Sequence, residues 1–290
     1  MLQYRMQHRI PSWLKMAMLF ATLALFGCAN NPAANLQKSE LGYRLDKPDA
    51  PSSPYANVKL RAMLIAVGNE QPVFDRFVTD FSHELKGLDF AGVATSSSSG
   101  KAGKKISTLS DLYREIHTLK PASNEGCFVY LTGHGGPSGM ALPVGKQHEF
   151  VPVADLNGAL TAACGERPTI VVISSCFSGV YMRTGIAAPN RIVITAADPD
   201  HTSFGCSNDQ TYTYFDGCFM KSFAGAKTWQ AVADGAKTCV SGLESKFSSW
   251  ARPSNPQAFF GRNMRDLPLP GPRPPPSEPS TPSLITAPTS

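Results

Sequence analysis

Four apolar stretches constrain the fold more than any other feature of the sequence. They are continuous, rich in Val and Ile, and cover Val58–Val67, Cys127–Thr132, Thr169–Ser175 and Arg191–Ala197. Apolar strands without polar alternation are typical of a sheet that is covered on both faces. The pattern therefore predicts four buried strands.

Helix-like stretches lie between these strands. Apolar residues recur at helical spacing in Thr108–Leu119, Val153–Cys164 and Thr228–Phe247. Strands that alternate with helices imply right-handed crossovers and a mostly parallel sheet. We expect an α/β fold of three layers, with a central sheet and helices on both faces.

Two glycine-rich turns follow neighbouring strands of this expected sheet. Gly133–Gly136 comes directly after one strand, and Cys176–Gly179 after the next. Functional residues of parallel sheets lie at the carboxyl ends of the strands, so His134 and Cys176 should meet there. Singly, each has a simpler interpretation as a hydrogen-bonded turn histidine or a buried thiol. Together they indicate a thiol nucleophile with its base, and the amides of Gly135 and Cys176 suit an oxyanion hole.

The N-terminal region resembles a bacterial lipoprotein signal. A basic start precedes an apolar stretch, Met16–Phe26, which ends just before Cys28. This stretch is too short for a membrane helix, which needs roughly 17–25 residues. Residues 1–27 would be removed and Cys28 lipidated; the alternative is an ordinary signal peptide with a chance cysteine. Ala29 after the cysteine favours sorting to the outer membrane, facing the periplasm of the bacterial cell envelope.

Composition divides the rest of the chain and excludes several classes of partner. We predict a flexible tether over 28–57, one domain over 58–266, and a disordered Pro-rich tail over 267–290. Without residues 1–27 the chain has 24 basic against 22 acidic side chains. It also has no cluster of basic residues with interleaved aromatics, so the sequence argues against nucleic-acid binding. No metal-binding or phosphate-binding motif occurs, so no metal or cofactor is expected. The sequence leaves the oligomeric state open.

Five blocks, taken together, resemble one known family. In chain order they are Gly68–His83, Tyr130–Gly136, Ala154–Asn157, Ile173–Gly179 and Thr195–Cys206. They are similar to motifs of the legumain (asparaginyl endopeptidase) cysteine peptidases, which share the caspase-like fold. The resemblance covers roughly Val58–Phe223 and implies an endopeptidase that acts on peptide or protein substrates.

The resemblance also implies roles for single residues. It makes His134 the general base, Cys176 the nucleophile, and Gly135 with Cys176 the oxyanion hole. The residues that it places in the substrate-binding pocket are Arg76, Ser174, Thr202, Ser203 and Asp216.

Two departures from the family leave questions open. Ser174 stands where the family has Glu, which weakens cleavage after Asn and favours Asp or another residue. At the position of the family's Asn that orients the histidine, Glu70 aligns better than Asn69, so the residue for that role stays open. The same acyl-enzyme would also serve a transpeptidase or ligase, and a catalytically silent binding lipoprotein is a further alternative.

The seven cysteines divide by role in this interpretation. Cys28 is assigned to the lipid and Cys176 to chemistry. The other five can form at most two disulfides in an exported domain. Cys206 with Cys218 is the favoured pair, because both lie in the segment near the pocket.

Overall fold

The computed structural model describes residues 54–272 except 56, 69–70, 183–184 and 247–251. The predicted signal peptide, Cys28, most of the tether and the tail beyond residue 272 lie outside the described residues, as do Asn69 and Glu70. No helix among the described residues is long and apolar enough to cross a bilayer.

Ten strands of the described residues form two sheets. They are β1 (Lys59–Ala66), β2 (Gly92–Ser97), β3 (Lys104–Lys105), β4 (Glu125–Thr132), β5 (Gly135–Gly136), β6 (Gly139–Val144), β7 (Gln147–Val151), β8 (Thr169–Ser174), β9 (Arg191–Thr195) and β10 (Gln257–Phe260). The main sheet has the order β10-β9-β8-β4-β1-β2-β3, and only the pairing of β10 with β9 is antiparallel. The small sheet is β5-β6-β7. All four predicted strands are confirmed, with ends that move by up to two residues.

Five helices of the described chain cover the main sheet. They are α1 (Pro72–Lys86), α2 (Leu109–His117), α3 (Val153–Cys164), α4 (Tyr214–Gly225) and α5 (Trp229–Glu244). Helices α1, α4 and α5 contribute to the core on one face, and α2 and α3 to the core on the other. The three-layer α/β prediction is therefore confirmed. Helix α4 was not predicted.

The central strand β4 explains why the strand pattern is continuously apolar. Phe128 and Tyr130 point into one core, whereas Cys127, Val129 and Leu131 point into the other, and all five are fully buried. Burial of a large apolar side chain contributes about 1.5–3 kcal/mol. A polar residue at any of these positions would lose that contribution on one face.

One disulfide stabilises each face of the sheet. Cys127 on β4 is bonded to Cys164 at the end of α3, and Cys218 on α4 is bonded to Cys239 on α5. The predicted Cys206–Cys218 pair is wrong, because Cys218 faces the neighbouring helix, where the Cα atoms of Cys218 and Cys239 are 5.6 Å apart. Cys206 is free.

Both ends of the described chain lie at the amino-terminal edge of the main sheet. Strand β1 begins there at Lys59, whose ammonium group forms an ion pair with Asp89 at 2.7 Å. The C-terminal segment 267–272 crosses the same edge, where the Asp89 amide donates to the Gly271 carbonyl at 2.8 Å and Leu88 bridges to Pro272. This segment, assigned to the tail from its composition, packs against the domain, and Leu267 is buried.

Candidate active site

The parallel pairing of β4 with β8 brings His134 and Cys176 to the same edge of the main sheet. The strands are parallel neighbours, as predicted, and Thr132 pairs with Ser174 at their carboxyl ends. The Gly133 amide extends the pairing by donating to the Ser174 carbonyl at 3.0 Å. His134 and Cys176 each lie two positions beyond this last pair, so they leave the sheet edge at the same level.

Gly135 lies directly against the turn that contains Cys176. A Cβ atom at Gly135 would be 2.4 Å from the Cys176 carbonyl oxygen and 2.7 Å from Ser175 Oγ. Cβ contacts under 3.0 Å essentially never occur. Only glycine therefore allows this approach, which brings the amides of Gly135 and Cys176 to one edge of the sheet.

The first turn of α1 holds the His134 ring. Its Nε2 atom lies 2.5 Å from Gln71 Oε1, and the ring packs edge-on against Phe74 with the centroids 5.1 Å apart. With Gln71 Oε1 as the acceptor, a neutral His134 ring carries its proton on Nε2 and leaves Nδ1 as the basic nitrogen. Sequence reasoning missed Gln71, although Pro72 at the first helical position is a signal for a helix that begins there.

The Cys176 thiol is positioned by the loop that follows β9. Its Sγ atom accepts the Ser203 amide at 3.3 Å and lies 3.5 Å from the Ser203 carbonyl oxygen. Phe177 has a left-handed φ of 57°, and its amide donates to the His201 carbonyl at 2.8 Å. Such a backbone conformation is rare for a bulky residue and persists where surrounding contacts impose it.

A hydrogen-bonded pair of side chains, His201 and Asp198, stabilises that loop. His201 Nδ1 lies 2.6 Å from Asp198 Oδ1, and the Asp198 carboxylate also accepts the Asp200 amide and the Asn255 side chain. Burial alone would raise the pKa of Asp198, but these hydrogen bonds outweigh it and hold the pKa below its ordinary value.

Three of the predicted pocket residues are partly or fully exposed. Arg76 is half-buried on α1, and its Nη1 donates to the carbonyls of Gln210 at 3.1 Å and Thr211 at 3.0 Å. Thr202 is exposed and Ser203 is half-buried beside the thiol. The guanidinium therefore fixes the far end of the same loop that positions Cys176.

The other two predicted pocket residues are buried. Ser174 is only 2% exposed and Asp216 is fully buried. The Asp216 carboxylate accepts Tyr130 Oη at 2.8 Å and Thr132 Oγ1 at 2.7 Å. Burial raises the pKa of Asp216, although hydrogen bonds from Ser174, Thr132, Tyr130 and Thr213 oppose the shift. Both carboxylate oxygens are already occupied within the protein.

A second free thiol lies in the same region. Cys206 is half-buried, and its pKa is raised by burial first and then by the negative charge of the Cys176 thiolate. Within the part of the chain that the structure describes, no three His, Cys, Asp or Glu side chains are grouped to hold a metal ion.

The small sheet follows His134 directly and was also missed from the sequence. The Ala141 amide donates to the His134 carbonyl at 2.9 Å, and Gly135 pairs with Met140. Gly145, at the turn between β6 and β7, has a φ of 61°. A glycine between two apolar-containing runs is the local signal for such a hairpin.

Comparisons with known proteins agree with the geometry. A family model described as the Peptidase C13 family matches residues 106–247. Among solved structures, caspase-1 from Spodoptera frugiperda is similar, with a TM-score of 0.53 and 13% identity over 76% of this chain and 94% of the other. At this identity the likeness concerns the fold, and the predicted caspase-like fold is confirmed. No curated protein sequence matches this chain.

Proposed function

Since this chain is a cysteine-type endopeptidase of the legumain-like Peptidase C13 family with a caspase-like fold, we propose that Cys176 and His134 form its catalytic dyad. Gln71 is then the residue that orients the imidazole. The observation that supports the dyad is the strand register: Thr132 pairs with Ser174, and the two side chains follow at equal distance along the chain. Gln71 lies 63 residues from His134 in the sequence and still contacts it.

The chemistry follows from the placement of these groups. His134 Nδ1 takes the Cys176 proton, and the thiolate attacks the carbonyl carbon of the scissile peptide bond. The amides of Gly135 and Cys176 stabilise the oxyanion. When the tetrahedral intermediate collapses, the C–N bond breaks and the imidazolium gives its proton to the leaving amine. Water then hydrolyses the thioester, with His134 as base, and the thiol is restored.

The side chains at the proposed substrate pocket favour cleavage after Asp over cleavage after Asn. Arg76 supplies a cationic fork that suits a carboxylate. Ser174 offers no carboxylate to accept the NH₂ group of an Asn side chain, and both oxygens of Asp216 are occupied by Tyr130 and Thr132. An Asn amide would therefore lack an acceptor that the family's Glu provides.

A lipid on Cys28 completes the proposal and anchors the enzyme in the bacterial cell envelope, at the outer membrane facing the periplasm. Its support is the sequence of the N-terminal region, where the apolar stretch ends just before the cysteine. Mass spectrometry of the mature N-terminus tests it: an unmodified Cys28, or a mature chain that begins elsewhere, contradicts the anchor.

Alkylation with iodoacetamide tests the dyad, with Cys206 as an internal control thiol. We expect Cys176 to react faster than Cys206 in the folded protein, because burial disfavours the Cys206 thiolate. His134→Ala and Gln71→Ala should slow the labelling of Cys176 and should not slow that of Cys206, because loss of the Cys176 charge can only lower the pKa of Cys206. Peptides that differ only in Asp or Asn before the scissile bond report turnover and preference.

Two results would contradict this proposal. Equal labelling of Cys176 and Cys206, or labelling of Cys176 only after denaturation, excludes an activated nucleophile. Faster cleavage after Asn than after Asp refutes the assignment of the pocket but leaves the dyad standing.

A further inference from the structure

Phe150 on β7 is the large hydrophobic side chain that remains exposed among the described residues, at 43%. A single exposed aromatic residue is common on protein surfaces and needs no explanation by itself. Its position is what makes this one informative, because the hairpin that carries it begins three residues after Gly136.

The β6–β7 hairpin is attached to the turn that contains His134. The Ala141 amide donates to the His134 carbonyl at 2.9 Å, and Ala141 pairs directly with Phe150. Side chains alternate along the hairpin: Met140 and Val151 are buried in the core, so Ala141 and Phe150 project from the opposite face. Phe150 is thus held on a rigid element that follows the catalytic turn.

The Phe150 ring lies against the main chain next to the oxyanion hole. A Cβ atom at Gly136 would be 3.3 Å from Phe150 Cε1. Because Gly136 has no side chain, the ring contacts the backbone immediately after Gly135. An apolar surface therefore borders the point where the scissile carbonyl binds.

The proton transfer from His134 to the leaving amine identifies which part of a substrate lies next to Phe150. His134 must give its proton to the leaving amine, so the leaving segment lies on the His134 side of the cleft. The strand that follows His134, with Phe150 against it, borders that segment. Under the proposed function Arg76 and Ser203 belong to the pocket for the residue before the scissile bond, on the acyl side.

We propose that Phe150 forms an apolar subsite for the residue that follows the scissile bond, and that it makes the enzyme prefer a large apolar side chain there. This inference rests on the proposed function. Its occupant is the leaving segment of the peptide substrate.

Peptides that share every residue except the one after the scissile bond test the subsite. We expect the wild type to cleave before Leu or Phe with a kcat/KM about 10-fold above that before Ser, the discrimination typical of an apolar pocket. Phe150→Ala should reduce this ratio to about 2, while Phe150→Leu should retain most of it. Lys146→Ala, at the exposed turn of the same hairpin, is the matched control and should leave the ratio unchanged.

The rate of Cys176 alkylation shows whether the dyad is intact in each variant. An unchanged alkylation rate with a lost apolar preference in Phe150→Ala supports the subsite. A preference that survives in Phe150→Ala, an equal fall for all peptides, or a change confined to the residue before the bond overturns the subsite and leaves the proposed function standing. If the wild type cleaves none of the peptides, the proposed function itself fails, and the subsite with it.

Discussion

Gly135→Ala tests the oxyanion hole by a single added methyl group. The new Cβ atom would be 2.4 Å from the Cys176 carbonyl oxygen, whereas ordinary contact begins at 3.4 Å. The obstructing atom belongs to the backbone, so no side-chain rotation relieves the clash. The turn after His134 and the turn at Cys176 must therefore separate by about 1 Å, the difference between these two distances.

A separation of this size would displace the amides of Gly135 and Cys176, which are the proposed oxyanion donors. A misplacement of about 1 Å costs about 100-fold in rate, and loss of one oxyanion donor costs about 100- to 1000-fold in kcat. We expect kcat of Gly135→Ala to fall by about 100- to 1000-fold, which corresponds to about 2.7–4 kcal/mol. KM should change little, because the oxyanion forms only in the transition state.

Steady-state cleavage of an Asp-containing peptide, with near-UV circular dichroism as the check on folding, measures the effect. Gly158→Ala is the matched control: Gly158 lies in α3, and its added Cβ would meet no atom within 4 Å. This control should keep the wild-type kcat and gain roughly 0.5–1 kcal/mol of stability. A folded Gly135→Ala variant with kcat within about threefold of wild type, against the 100-fold expected for a misplaced donor, would refute the assigned oxyanion hole.

Two further predictions concern stability. Replacing the Cys127–Cys164 pair by Ala, 37 residues apart, should cost about 4 kcal/mol, and replacing Cys218–Cys239, 21 residues apart, about 3 kcal/mol; urea unfolding that gives the reverse order contradicts this. Because burial raises the pKa of Asp216 in the folded state, its contribution is most favourable below the unfolded-state pKa near 4 and is lost as pH rises through the folded-state pKa. The stability of the wild type relative to Asp216→Asn should therefore fall with rising pH in urea titrations, and a difference that grows with pH would contradict the assigned shift.

The strands, and the sheet edge at which Cys176 and His134 lie, could be predicted because they depend on local sequence patterns. Strand β4 is apolar on both faces, so a run of Val, Leu and aromatic residues was sufficient to identify it. Once β4 and β8 were assigned, topology alone placed His134 beside Cys176. Helix α4 was not identified because Gly217 interrupts its apolar residues, although Thr213 caps its start and Asp216 lies in its first turn.

Contacts between distant segments could not be predicted in the same way. Gln71 contacts His134 only because α1 begins above the end of β4, and nothing in either local sequence encodes that distance. Cysteine pairing depends likewise on helix packing: Cys218 faces α5 and not the loop that contains Cys206. Asp216 matched a pocket motif, yet its place in the helix start buries it under the sheet edge.

The position of the two ends of the described residues has a practical consequence. Val58 and the 267–272 segment lie at one edge of the sheet, and His134 lies at the other, separated by the eight residues of a central strand, or about 26 Å. A molecule held at either end of the described residues would therefore turn the sheet edge that carries His134 and Cys176 away from the support.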